Sequence, residues 1–242
     1  MPYRRLPNTD LARLRALRIA YEKGKELPPF NLAFSQATFQ KVFSNMHNFE
    51  KIVLESRQAF NKQVEKSKDY GKLLKRVKLY LSHFIQVINM AITRGEMSSN
   101  DRDYFGFSRT QSRVPSFNSE AEVLSWGEKM IQGEMQRQKK GLTPVTNPSI
   151  AVVKVHYENF LEAHRFQKIL QKNLQRSQEK LIEQRLIVDE IIASVWNEVE
   201  EHYKDMPDDA KRNHAKIYGV VYFYRKNELI QKESPQIITP SA

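Results

Sequence analysis

The sequence predicts an all-α fold: four long helices in two antiparallel hairpins that form a bundle, with shorter flanking helices and a minor two-stranded element. Three observations carry this expectation. The ten prolines leave two breaker-poor tracts, with none between Pro29 and Pro115 and none between Pro148 and Pro207. Within each tract, apolar residues recur at steps of three and four, which places them on one side of a helix. A constant shift of 114 residues superposes the apolar positions of the two tracts, as a pseudo-two-fold internal duplication would require.

The elements follow in order. Asn8 to Gly24 reads as a short helix, and Pro28 and Pro29 separate it from the first tract. There Phe39, Val42, Phe43, Met46, Phe49, Ile52 and Val53 form a stripe, with Ser35 as its N-cap. The stripe thins between Asn61 and Lys72, where Gly71 suits a turn, and resumes with Leu73, Leu74, Val77, Leu81, Phe84, Ile85, Ile88 and Ile92. Asn118 to Gly141 reads as a second short helix. Asn147 and Pro148 then supply a cap and a first helical residue for Ile150, Val153, Tyr157, Phe160 and Leu161. From Gln171 to Lys180 only Leu174 is apolar, after which Leu181, Val188, Ile191, Ile192, Val195 and Val199 resume the pattern. That polar decad favours a turn, although it contains no glycine or proline and an unbroken helix of about fifty residues remains the alternative.

The shift of 114 places Phe39, Phe43 and Met46 on Val153, Tyr157 and Phe160, and Leu81 and Ile85 on Val195 and Val199. It also brings Tyr104 of DYFGF onto Tyr218 of KIYGV, each closely followed by a glycine that ends a helix. The expected organisation is one helical-bundle domain over 1–233, with repeat units 1–113 and 114–233, and a mobile tail at 234–242. Val220 to Tyr224 is β-branched and aromatic, and is expected to be extended and to pair with Phe105 to Ser108.

Composition removes several functional classes. The 242 residues are 40% hydrophobic and 28% charged, as in an ordinary globular chain, and contain no cysteine. Disulfides, Cys-based zinc sites, iron–sulfur clusters and thiol nucleophiles are excluded, and a cytoplasmic location is expected. The eight glycines are spaced too widely for a dinucleotide or P-loop fingerprint. Asn8, Asp10 and Arg13 interrupt any signal-peptide core. The longest uncharged run, Leu79 to Thr93, is polar in places and shorter than the roughly 20 apolar residues that span a bilayer, so no membrane insertion is expected.

No catalytic motif is assigned: G-x-S-x-G and Glu-x-x-His are both missing. No cofactor is expected and no catalytic residue is assigned. The nearest approach to a metal pocket is Glu158, Glu162 and His164 with Glu198 and His202, a set far commoner as surface pairs. His83 and His156 lie among apolar positions and read as structural histidines.

Charge is the most unusual feature. The net charge is +11, but residues 1–121 hold 21 basic against 11 acidic residues and residues 122–242 hold 18 against 17. Lys62, Lys66, Lys68, Lys72, Lys75, Arg76 and Lys78 crowd one segment with Tyr70 and Tyr80 among them. Such a stripe suits phosphates or an acidic partner, with tyrosines as stacking surfaces. The shift of 114 sets Lys75 and Arg76 against Asp189 and Glu190, opposite charges that suit pairing between halves or subunits. The aromatic segment with Tyr218, Tyr222 and Tyr224, followed by Arg225 and Lys226, is the expected docking surface for a partner. The resulting expectation is a non-enzymatic protein that binds a macromolecule, protein or nucleic acid, and is compatible with homo-oligomers. Nucleic-acid binding through Lys62 to Lys78 and a Glu/His ligand pocket are the alternatives.

Overall fold

The computed structural model describes residues 3–110 and 112–224. Arg225, Lys226 and the expected tail at 234–242 lie outside the described residues. The chain is mostly helical, in the order β1 (Tyr3–Arg4), α1 (Asp10–Glu26), a 3-10 turn (Pro29–Asn31), α2 (Gln36–Thr93), a 3-10 helix (Ser99–Phe105), α3 (Glu120–Lys139), α4 (Ile150–His202), α5 (Asp208–Ile217) and β2 (Tyr222–Phe223).

The two expected hairpins are instead two unbroken helices, α2 of 58 residues and α4 of 53. Neither Asn61 to Lys72 nor Gln171 to Lys180 turns. Gly71 sits inside α2 with a helical neighbour on either side, and one glycine costs only about 1 kcal/mol in a helix interior. The polar decad of α4 carries no glycine or proline that would stop the backbone hydrogen bonds. Polarity there marks exposure, not a break.

Helix starts match the local chemistry. The Ser35 hydroxyl accepts from the Thr38 amide, as expected of the N-cap of α2. Thr9 caps α1, and Ser119 with Glu122 forms a reciprocal capping box on α3. Asn147 does not cap α4: its φ is +57°, and the helix begins at Ile150, with Ser149 accepting from the Val152 amide.

Contacts divide the chain into two compact units, one from the residues up to 58 and from 175 onward, the other Ala59–Leu174. The first unit packs α1, the first part of α2, the last part of α4 and α5 around Leu17, Phe49, Val188, Val195, Trp196 and Val199. Each such side chain contributes roughly 1.5–3 kcal/mol on burial. Reciprocal ion pairs fasten α1 to α4. Arg13 donates to both carboxylate oxygens of Asp189 at 2.7 and 2.8 Å, and Arg185 does the same to Asp10 at 2.7 Å.

The second unit packs the last part of α2, the 3-10 helix, α3 and the first part of α4 around Leu81, Phe84, Ile85, Phe105, Met130 and Phe160. Gly133 makes this possible on α3. A Cβ there would lie 2.5 Å from the Tyr104 carbonyl oxygen, so only glycine lets the 3-10 helix come this close. Phe105 is thereby committed to a helical core and forms no strand with the 220–224 segment. β2 pairs with β1 instead, antiparallel, with Tyr3 opposite Phe223 and Arg4 opposite Tyr222.

Candidate partner-binding groove

In the first unit, α1, the Arg5–Asn8 loop and the 219–223 segment enclose a groove of about 630 Å³ over Trp196. The β1–β2 pairing builds it. The Arg5 amide donates to the Val221 carbonyl at 3.0 Å, which fixes the extended aromatic segment beside α1. Gly219, at φ +85°, turns the chain out of α5 into that segment, a conformation that strains any other residue. Ala12, Ala16 and Ile19 of α1 with Val220 and Trp196 make the wall and floor apolar.

The groove's charge has one sign. Arg5, Arg15 and Lys216 line it and no Asp or Glu does. Arg5 lies over the Phe223 ring at 5.1 Å, whereas Arg15 and Lys216 are exposed without a carboxylate partner among the described residues. The contrast within the same unit is sharp, because Arg4, Arg13, Arg185 and Arg212 are each matched by an acid. Cations left unmatched on an apolar cleft leave affinity for a ligand that supplies both carboxylates and hydrocarbon.

The structure divides the predicted aromatic site. Tyr222 lines the groove, half-buried, and its hydroxyl donates to Glu200 at 2.6 Å. Burial first, and then that hydrogen bond, push its phenol far above the ordinary value. Tyr224 is half-buried. Tyr218 is only 4% exposed, edge-on to Phe34 at 6.1 Å, and belongs to the core rather than to a docking surface. The exposed row is Val221 and Phe223, at 45% and 42%.

The predicted basic stripe lies on α2 in the second unit. Lys62, Lys68, Lys75 and Arg76 are exposed, Lys78 is half-buried, Lys66 lies 3.6 Å from Glu65, and Lys72 pairs with Asp69 at 3.2 Å. Tyr70 is not a stacking surface: it is buried and stacked on Phe160 at 5.9 Å. Tyr80 is occupied by His156, ring centroids 4.0 Å apart. Burial, followed by the nearby Arg76, lowers the His156 pKa. His83 is exposed rather than in contact with the core. Asp189, the expected counterpart of Lys75, is already held by Arg13.

The metal-ligand candidates do not converge. Glu158 lies 3.7 Å from Lys154, Glu162 is exposed, and His164 lies 3.3 Å from Glu120. Glu198 belongs to the other unit and accepts from the Ser35 amide and the Thr38 hydroxyl, while His202 stands edge-on to Tyr203. Among the described residues no group of three or more His, Asp or Glu is placed to hold a metal ion, and no helix is long and apolar enough to cross a membrane.

Arg5, Arg15, Lys216 and Trp196 were not legible as a site. They come from opposite ends of the chain, and only the unforeseen pairing of Tyr3–Arg4 with Tyr222–Phe223 brings them together. Comparison of the chain with known protein families, curated proteins and solved structures yields no match.

Proposed function

We propose that this is a non-enzymatic cytoplasmic protein that binds a macromolecular partner, with the groove of the first unit receiving an acidic and apolar protein segment. One observation carries the reading: Arg15 and Lys216, together with Arg5 over Phe223, rim an apolar cleft that contains no carboxylate. An amphipathic segment with Asp or Glu flanking aliphatic residues answers both features, the hydrocarbon on Ile19 and Val221 and the carboxylates at the rim. The experiment is a peptide-display selection on the wild-type protein and on Arg15→Glu/Lys216→Glu. Acidic–aliphatic peptides enriched by the wild type and lost by the variant support the reading; identical or absent enrichment ends it.

A second reading is favoured by the exposed, unmatched Lys62, Lys68, Lys75 and Arg76, which suit the phosphates of a nucleic acid.

We also read each unit as a helical bundle and the chain as a duplicated repeat of about 114 residues. α2 begins at Gln36 and α4 at Ile150, 114 residues on. Met46 and Phe160, Val77 and Ile191, Leu81 and Val195, and Ile85 and Val199 are buried pairs at that spacing. Gly106 and Gly219 both have positive φ, and the following amides reach back five residues, Phe107 to Arg102 and Val220 to Ala215. These turns correspond at a spacing of 113, as a single-residue deletion would leave them. In this reading each unit combines the front of one repeat with the back of the other, and only one repeat keeps a basic stripe.

A further inference from the structure

Within the second unit, α4 turns Val153, Phe160, Gln167 and Leu170 into its core and leaves a different face in solvent. That face carries Val152, Val155, Phe166 and Ile169, exposed at 41%, 54%, 43% and 56%. Exposed Asn159 and Glu162 stand between the two apolar pairs. The steps from 152 through 155, 159, 162 and 166 to 169 alternate three and four, the spacing of the contact seam of a coiled coil. Isolated exposed apolar residues need no explanation, but a row in this order does.

The order of residues identifies the occupant. Read in either direction, the seam runs two apolar, two polar, two apolar. Laid antiparallel on a second copy of itself, Val152 meets Ile169 of the other chain, Val155 meets Phe166, and Asn159 meets Glu162, with each contact repeated by the two-fold axis. The flanks agree, since Glu158 then faces Arg165 of the other chain on both sides of the axis. Glu158 has only the exposed Lys154 at 3.7 Å within its own chain, and Arg165 has no carboxylate partner among the described residues. A parallel arrangement would oppose Glu162 to Glu162 and would separate Glu158 from Arg165 of the other chain. An unrelated helix would have no reason to match this polar centre.

We infer that the 152–169 face of α4 is a self-association surface on which a second copy of this chain packs antiparallel. The helix is already folded and buried on its other side, so association does not have to fund helix formation. The two polar central layers fix the register at the expense of affinity, so the dimer dissociates on dilution.

Sedimentation velocity tests this on the full chain. The wild type is expected to be dimeric at about 100 µM and monomeric near 1 µM, a range in which weak dimers titrate. Val155→Glu should abolish the dimer. Glu158→Arg and Arg165→Glu should each weaken it about tenfold, and the double exchange should restore it, with helicity unchanged by circular dichroism. The absence of cysteine allows a test of direction. Val152→Cys and Ile169→Cys should form a mixed disulfide with each other, and neither should cross-link alone, because antiparallel packing separates like positions by roughly 25 Å. A monomer at the higher concentration, a dimer indifferent to Val155→Glu, or cross-linking of Val152→Cys with itself would overturn the inference.

Discussion

Glu198 on α4 accepts hydrogen bonds from both the amide of Ser35 and the hydroxyl of Thr38, so it closes the N-terminus of a helix that begins 162 residues earlier in the chain. Burial pushes this carboxyl up, but the Ser35 and Thr38 hydrogen bonds outweigh it and hold the pKa below the ordinary 4.5. A depressed folded-state pKa stabilises the fold above the unfolded value, and that contribution is lost as pH falls through the folded one. Glu198→Gln should therefore cost about 1 kcal/mol at neutral pH. Its stability should fall less than that of the wild type between about pH 5 and pH 3. Urea unfolding across that range measures both.

Glu134 is fully buried on α3, where it meets Arg137 at 2.8 Å and accepts from the Val145 amide at 2.8 Å. Its second bond ties the loop before α4 to the second unit. Glu134→Ala removes the nearer of two carboxylates from the buried Arg137, which keeps only Asp101 at 3.4 Å, and should cost about 3 kcal/mol. Replacing Glu134 and Arg137 together with leucine, with Asp101→Asn to neutralise the other carboxylate on Arg137, should cost less than Glu134→Ala, because no charge is then stranded. Denaturant midpoints of the variants, with unchanged slope, check the order.

Gly71 separates the continuous helix from the hairpin suggested by composition. Its φ is not positive and a Cβ there would meet nothing within 4 Å. Gly71→Ala should therefore stabilise the protein by about 1 kcal/mol, the propensity difference in a helix interior. Gly141 provides the contrast at φ +73°, where alanine should destabilise by about 1 kcal/mol. Thermal melts showing Gly71→Ala to be destabilising would restore a turn at that position.

Local chemistry was legible and long-range pairing was not. Ser35 announced the start of α2 because a hydroxyl before an apolar stripe satisfies a free amide wherever the chain goes next. The apolar periodicity of 39–53 and 181–199 located residues that are now core, as Val42, Phe49, Val188 and Val199 are. The breaks failed for the opposite reason: Gly71 and the decad from Gln171 are compatible with a turn, but a helix packed on both sides of a weak point continues through it. The strand partner was misassigned because Tyr3–Arg4 contributes only two residues, too few for a periodic signal. The basic stripe was readable as charge, whereas the groove's cations at Arg5, Arg15 and Lys216 are dispersed in sequence and become a site only through that strand pair.

The stripe on α2 yields a prediction that distinguishes the two functional readings. If Lys62, Lys68, Lys75 and Arg76 engage phosphates, a single-stranded oligonucleotide should bind with a log–log salt slope of about −3, four contacts at roughly −0.7 each. Each of Lys68→Ala and Lys75→Ala should reduce the magnitude of the slope by about 0.7, across all sequences alike. Tyr70→Leu should lower the melting temperature without changing the slope, because Tyr70 is stacked on Phe160 inside the unit and presents no ring to a base. Arg15→Glu, in the other unit, should leave oligonucleotide binding intact while it abolishes peptide selection. Fluorescence anisotropy at several salt concentrations measures all four, and binding that is flat in salt or undetectable removes the nucleic-acid reading and leaves the groove as the site of recognition.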